Sequence, residues 1–201
     1  MTEIYYTDTN DISDIELYYN TLPEYRRDKV NRLVNEADKK ASLCAGLLID
    51  RFIGKTEIKF GKYGKPCAVN GKQFNISHSG NYVIIAVSDT EVGCDVEMLK
   101  NVDYERLGRI VFHENELVAI KNAEDKQECF YRFWTMKEAF IKCLGEGFHF
   151  KTSSLDLCGT NHALEYEGET YFFKEYMLKG TKIMLCSADK NLPARIEKIN
   201  F

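Results

Sequence analysis

The sequence predicts an α+β fold, and three observations carry that prediction. A long helical stretch near the start is followed by short β-rich runs. Further helices then precede a tail of alternating strands. Nowhere does strand follow helix with the regularity that a parallel doubly wound sheet requires.

The first clear element is LPEYRRDKVNRLVNEADKKASLCAGLLIDRFIG, Leu22 to Gly54, which opens at Pro23 and closes at glycine. A break near Asn35 divides it into two helices. The second carries a nearly continuous apolar run and is expected in the core, whereas the first displays Arg26, Arg27, Lys29 and Arg32 as a basic surface. From Ile58 to Leu99, β-rich runs alternate with Gly, Pro and Asn, predicting turns at Gly61 to Pro66 and Asn70 to Lys72. An antiparallel hairpin is expected there, with Tyr82 to Val87 pairing with Val92 to Glu97 across Asp89 and Thr90. Helices are expected near Tyr104 to Val111, near Glu114 to Lys121, and over FYRFWTMKEAFIKCLGEG, residues 130 to 147. From Ser154 onward the pattern is that of strands broken at Gly168 and Gly180.

With 201 residues, 44% of them hydrophobic, the chain can bury a real core, and it falls between the expectation for one domain and that for two. No linker or repeat is evident. A formal net charge of −4 argues against non-specific binding to nucleic acid or to a membrane surface. The polar, acidic start MTEIYYTDTNDISDIELYY shows neither a signal peptide nor a membrane span, so a cytoplasmic location is expected. Seven scattered cysteines, none in C-x-x-C spacing, predict reduced, packed thiols rather than a disulfide framework or a zinc site.

Four stretches carry candidate chemistry. In GCDVE, Asp95 and Glu97 lie two apart on a predicted strand, so both carboxylates project from one face and invite a hard cation such as Mg²⁺; a solvated strand face is the bland alternative. In the helix of residues 130 to 147, at about 100° per residue, Phe130, Phe133, Trp134, Phe140, Ile141 and Leu144 form one broad face. Glu138 and Lys142 flank it four apart, as a surface ion pair or as groups reaching a cleft, and Lys137 falls inside the apolar face, where snorkelling is its ordinary explanation. FNISHSG sets Ser77, His78, Ser79 and Gly80 at a predicted turn suited to holding a phosphate, and GKYGKP supplies Gly61, Gly64 and Lys65 for a close anion contact without being a Walker A loop. In FHENE, the acids Glu114 and Glu116 stand at a helix start, where the helix dipole alone explains negative charge.

Taken in order, GKP, FNISHSG, VGCDVE, FHENE and FWTMKEAFIKCLGEG resemble the 4′-phosphopantetheinyl transferases, in particular the larger single-chain type that serves peptide and polyketide synthases. The resemblance spans roughly residues 22 to 147 and rests chiefly on the tandem of G-C-D-V-E and W-x-x-K-E-A-x-x-K. It implies two similar α+β halves packed as an intramolecular pseudo-dimer, divided near Leu99 into residues 1–98 and 99–201, with the active site between them. It implies transfer of phosphopantetheine from coenzyme A to a serine hydroxyl of an apo acyl or peptidyl carrier protein; a monomer is expected, and by the charge and composition above it engages neither nucleic acid nor membrane.

By the same resemblance, Asp95, Glu97 and Glu138 match the Mg²⁺-binding acids and Glu116 the general base. Lys142 matches the phosphate-contacting lysine, and Asp95, Glu116, Glu138 and Lys142 form the catalytic set. Ser77 and His78 match nucleotide-phosphate contacts, Gly64 and Lys65 residues near the adenine, and Arg26, Lys29 and Ser42 the grip on the 3′-phosphate. Ala41 stands where the family often has arginine, which leaves that grip weaker or shared with Lys39 and Lys40. Two other readings remain open: a carboxylate-metal phosphohydrolase acting on a nucleotide, since three acids and a lysine are generic for phosphate chemistry, and a non-catalytic carrier-binding relative.

Overall fold

A computed structural model describes residues 1–201, the side chain of Glu105 excepted. In chain order the elements are β1 (Glu3–Asp8), α1 (Ile15–Tyr19), α2 (Glu24–Asn31), α3 (Glu36–Ile53), β2 (Ile58–Phe60), β3 (Pro66–Ala68), β4 (Gln73–Ser79) and β5 (Tyr82–Ser88). There follow β6 (Val92–Met98), α4 (Tyr104–Val111), α5 (Glu114–Asn122), α6 (Lys126–Leu144), β7 (Ala163–Tyr166), β8 (Glu169–Leu178), β9 (Thr181–Ser187) and β10 (Glu197–Lys198).

The break near Asn35 is real: its side chain accepts the Ala37 amide at 2.8 Å and starts α3, which closes at Gly54 with positive φ. The strands form two four-stranded sheets, β10-β1-β5-β4 and β6-β9-β8-β7, beside a small β2-β3 ribbon. Both large sheets are wound alike. An initial strand (β1 or β6) is followed by a long helix (α3 or α6) and a hairpin (β4-β5 or β8-β9), and the second hairpin strand pairs antiparallel with the initial one. The fold is therefore α+β with two similar halves. With the halves divided at residue 98, β6 is the strand that the first contributes to the sheet of the second.

The expected hairpin between Tyr82 to Val87 and Val92 to Glu97 does not form. β5 lies between β1 and β4, and β6 pairs with β9, so Asp89 and Thr90 carry the chain from one sheet to the other. The reason is burial: Val83 through Ser88 are all buried, so β5 is a central strand with neighbours on both edges.

Three apolar clusters hold the layers. Phe74, Val83, Ile85 and Val87 pack on α3, while Phe173, Met184 and Cys186 pack on α6. The opposite faces of the two sheets meet through Ile4, Ile84 and Ala86 against Val92, Cys94, Val96, Ile183 and Leu185. The outer edge of β6 is satisfied without a neighbouring strand. Asn75 Oδ1, Ser77 Oγ and Ser79 Oγ of β4 accept the amides of Cys94, Val96 and Met98 at 3.0, 3.3 and 3.0 Å. All seven cysteines are free thiols, and no helix is long and apolar enough to cross a membrane.

Candidate active site

Strand β6 and helix α6 meet with no side chain between them at one point. A Cβ on Gly93 would stand 2.1 Å from the Ala139 carbonyl oxygen and 2.3 Å from the Cys143 nitrogen, so only glycine permits this approach. Asp95 and Glu97 follow on the same face of β6 and are thereby brought against the helix.

Asp95 is 3% exposed, and its Oδ1 receives the Lys142 ammonium at 2.5 Å and the Ser77 hydroxyl at 2.9 Å. Its Oδ2 is buried with no hydrogen-bond partner. Burial pushes the Asp95 carboxyl above its ordinary value, with Lys142 and Ser77 pulling it back. Burial alone would lower Lys142, but the adjacent carboxylate outweighs it, and the lysine is held charged.

Glu97, half-buried, accepts the Ser79 hydroxyl on Oε2 at 3.0 Å and the Trp134 indole N–H on Oε1 at 3.3 Å. Its pKa is raised by burial and then by the Asp95 charge. Glu138 is raised by burial, with Lys142 opposing and Asp95 reinforcing, so all three acids feel one another through Asp95. Trp134, Glu138 and Lys142 recur at i, i+4 and i+8 on α6.

Among the described residues, no group of three or more histidine, cysteine or acidic side chains stands ready-made as a metal cage. The donors nevertheless fit a hard divalent cation: they are carboxylate oxygens, and one is buried and orphaned.

Beside this cluster lies a cavity of about 1000 Å³, lined by Arg26, Lys29, Arg32, Ala41, Ser42, Gly64 and His78 among others. Ser77, Lys65 and Lys142 do not line it. Arg26 is buried, donates to the Ser42 carbonyl at 2.5 Å and leaves its Nε without a partner, as does the Ser42 hydroxyl. Burial lowers the pKa of Arg26, and burial followed by the Arg26 charge lowers that of Lys29. Among the described residues neither cation is ion-paired, and with Arg32 they outnumber the lining carboxylates Asp28 and Asp38, which makes the site suited to an anion. Beside Ala41 the additional lining cation is Arg32; Lys40 instead pairs with Glu36 at 3.7 Å.

The SHS residues lie on β4 rather than at a turn, and strand alternation divides them. His78 lines the cavity, where desolvation lowers its pKa, while Ser77 and Ser79 turn to the acids on β6. Ser77 thus touches Asp95 and Lys142 and is not a cavity-lining contact. Lys65 is also occupied elsewhere: its ammonium donates to the carbonyls of Cys143 at 2.6 Å and Val92 at 3.1 Å, capping the end of α6.

Glu116 is set apart from the other acids. It is 0% exposed, its Oε2 accepts the His113 amide at 2.8 Å in a capping box and meets Lys137 at 3.0 Å, and its Oε1 accepts the Leu157 amide at 2.9 Å. Both oxygens are engaged within the fold, and Glu116 contacts none of the other three acids. Lys137 does not snorkel. It is fully buried and also donates to the Thr152 and Leu155 carbonyls at 2.8 and 2.5 Å, tying that segment to α6.

Comparison with known proteins finds relatives along most of the chain. Residues 91–186 match the model of the 4′-phosphopantetheinyl transferase superfamily, and residues 10–91 match that of the 4′-phosphopantetheinyl transferase N-terminal region. The chain is 28% identical over 209 residues to 4′-phosphopantetheinyl transferase Sfp of Bacillus subtilis (strain 168), covering 92% of this chain and 91% of that one. It is 30% identical over 199 residues to the transferase ffp of Bacillus subtilis, covering 88% and 86%. With gsp of Aneurinibacillus migulanus the identity is 36% over 133 residues, covering 61% and 56%. The chain belongs to the 4′-phosphopantetheinyl transferase family, and it is an enzyme of the class that transfers phosphopantetheine to carrier proteins.

Proposed function

We propose that the chain transfers 4′-phosphopantetheine from coenzyme A to a serine hydroxyl of an apo acyl or peptidyl carrier protein, with Mg²⁺, releasing adenosine 3′,5′-bisphosphate. It acts as a cytoplasmic monomer, on neither nucleic acid nor membranes, and the site lies between the halves 1–98 and 99–201. The observation that carries this reading is that strand β4 joins two features: its His78 lines a cavity with cationic and hydroxyl groups, and its Ser77 and Ser79 bond the acids Asp95 and Glu97, where the buried Asp95 keeps one oxygen free.

In this reading Arg26, Lys29 and Ser42 hold the 3′-phosphate end of coenzyme A, with Arg32 reinforcing them, and His78 and Gly64 approach the nucleotide. Asp95, Glu97 and Glu138 hold Mg²⁺, which when bound neutralises charge on the pyrophosphate. Lys142 is the mobile cation. It exchanges Asp95 for a phosphate oxygen when the donor binds and stabilises the departing bisphosphate. Glu138 has no hydrogen-bond partner among the described residues, and it keeps an oxygen for the proton of the incoming serine, directly or through water. Ser77 and Ser79 orient the acids. Glu116, Lys137 and Lys65 support the fold around them.

The test is to incubate the protein with coenzyme A, Mg²⁺ and a panel of apo carriers, and to weigh the carriers by mass spectrometry. The expected result is one phosphopantetheine added to at least one carrier, dependent on Mg²⁺. Coenzyme A cleaved without a carrier would point to a phosphohydrolase, and carrier binding without product would point to a non-catalytic relative.

A further inference from the structure

We infer that Ser79 is a positioning residue that fixes the Glu97 carboxylate for the cation; this rests on the reading of Glu97 as a cation ligand. A serine hydroxyl carries one proton and two acceptor lone pairs. In Ser79 one lone pair is taken by the Met98 amide at 3.0 Å, which turns the proton toward Glu97 Oε2, also at 3.0 Å. The other carboxylate oxygen is met by the Trp134 indole N–H at 3.3 Å. Glu97 is thus held on one oxygen from the first sheet and on the other from α6, by neutral donors on both sides.

Neutral donors hold an anion without cancelling its charge. Among the described residues Glu97 makes no ion pair: Lys142 is on Asp95, and Lys182, which stands opposite Glu97 in the β6–β9 register, is engaged by Glu128 and Glu175. The carboxylate is oriented yet has no ion-pair partner of its own, which leaves it available to a cation. The motif also repeats one strand period away. Ser77 accepts the Val96 amide at 3.3 Å and donates to Asp95 at 2.9 Å, so each acid on β6 has its own serine on β4. Partners that orient a metal ligand set affinity through the ligand, and their removal typically weakens binding by about 10- to 100-fold.

The experiment titrates Mn²⁺ into the wild-type chain and into Ser79→Ala, Ser79→Thr and Glu97→Gln in the presence of coenzyme A, following loss of the free Mn²⁺ resonance signal, with thermal unfolding recorded for each. Ser79→Ala is expected to weaken cation binding by about tenfold, with the melting temperature lowered by a few degrees because the Met98 amide loses its acceptor. Ser79→Thr, which restores the hydroxyl, is expected to recover most of that loss and serves as the second variant should the alanine fold poorly. If Glu97→Gln weakens the cation while Ser79→Ala leaves it unchanged, or if Thr fails to rescue in a folded protein, Ser79 has no positioning role. If the wild-type chain takes up no Mn²⁺, or Glu97→Gln binds it normally, the assignment of Glu97 itself falls.

Discussion

Helix α6 supplies the lysine of two lysine–carboxylate pairs that look alike in outline and differ in what is left over. At Lys137 and Glu116 both side chains are fully buried, both carboxylate oxygens are bonded, and the ammonium also meets two backbone carbonyls. At Lys142 and Asp95 the lysine is 29% exposed, one carboxylate oxygen has no partner, and two further acids lie within electrostatic reach. A pair whose carboxylate oxygens are both bonded inside the fold holds its elements together. An unsaturated pair, partly open to solvent, is where chemistry can enter.

The largest expected effect breaks the closed pair. Lys137→Met leaves Glu116 charged and unpaired in the core, at a cost of about 3–5 kcal/mol, which lowers the melting temperature by roughly 10 °C. Calorimetry checks this, and a variant that melts like wild type yet is inactive would move Lys137 into the catalytic machinery. Next, Glu138→Gln at the open pair is expected to reduce turnover by at least about 10²-fold while leaving folding largely intact. Near-normal turnover at saturating Mg²⁺ contradicts its role.

The third effect is a pH dependence at the two acids beside the open pair. Burial holds the Glu97 and Glu138 carboxyls above their ordinary value, so folding without a cation favours the protonated form more than the unfolded chain does. Their contribution to stability is present below the unfolded value and is lost as pH rises through the raised folded value. A bound cation favours the ionised form, so the rise in melting temperature on adding Mg²⁺ should be small at the acid end of that window and larger above it. An increment that does not change with pH would detach these acids from the cation.

The smallest effect concerns Ser42, whose buried hydroxyl has no partner. Ser42→Ala is expected to leave stability unchanged or raise it by up to about 1 kcal/mol while raising KM for coenzyme A. A loss of stability with unchanged KM would show that the hydroxyl serves the fold.

Much of this contrast was legible in the sequence, because its features are local. The cap at Asn35, the glycines ending α3 and α6, and the strand breaks at Gly168 and Gly180 are read from neighbouring residues. So is the stripe of Trp134, Glu138 and Lys142, although the indole contact with Glu97 appears only once β6 is in place. What was not legible depends on partners distant in sequence. Alternation fixes which face of a strand is buried but not which strand lies beside it, so β5 and β6 were paired with each other and the short strand β1 went unread. Lys137 in an apolar face looked like a snorkelling side chain because Glu116 lies far away along the chain. The resemblance that matched Glu116 to a general base carried no information on the two backbone amides that bond its oxygens. Reading Ser77 to Ser79 as a turn hid the alternation that sends His78 to the cavity and the serines to the acids.

The difference between the pairs is tested most directly by comparing Asp95→Asn and Glu116→Gln in single-turnover transfer to an apo carrier, at a temperature where circular dichroism shows both variants folded. The expected result is a loss of about 10²- to 10³-fold in rate for Asp95→Asn, with Glu116→Gln within about tenfold of wild type, as suits a group acting only through the fold. A fully folded Glu116→Gln that is as inactive as Asp95→Asn would contradict the assignment and return Glu116 to the reaction.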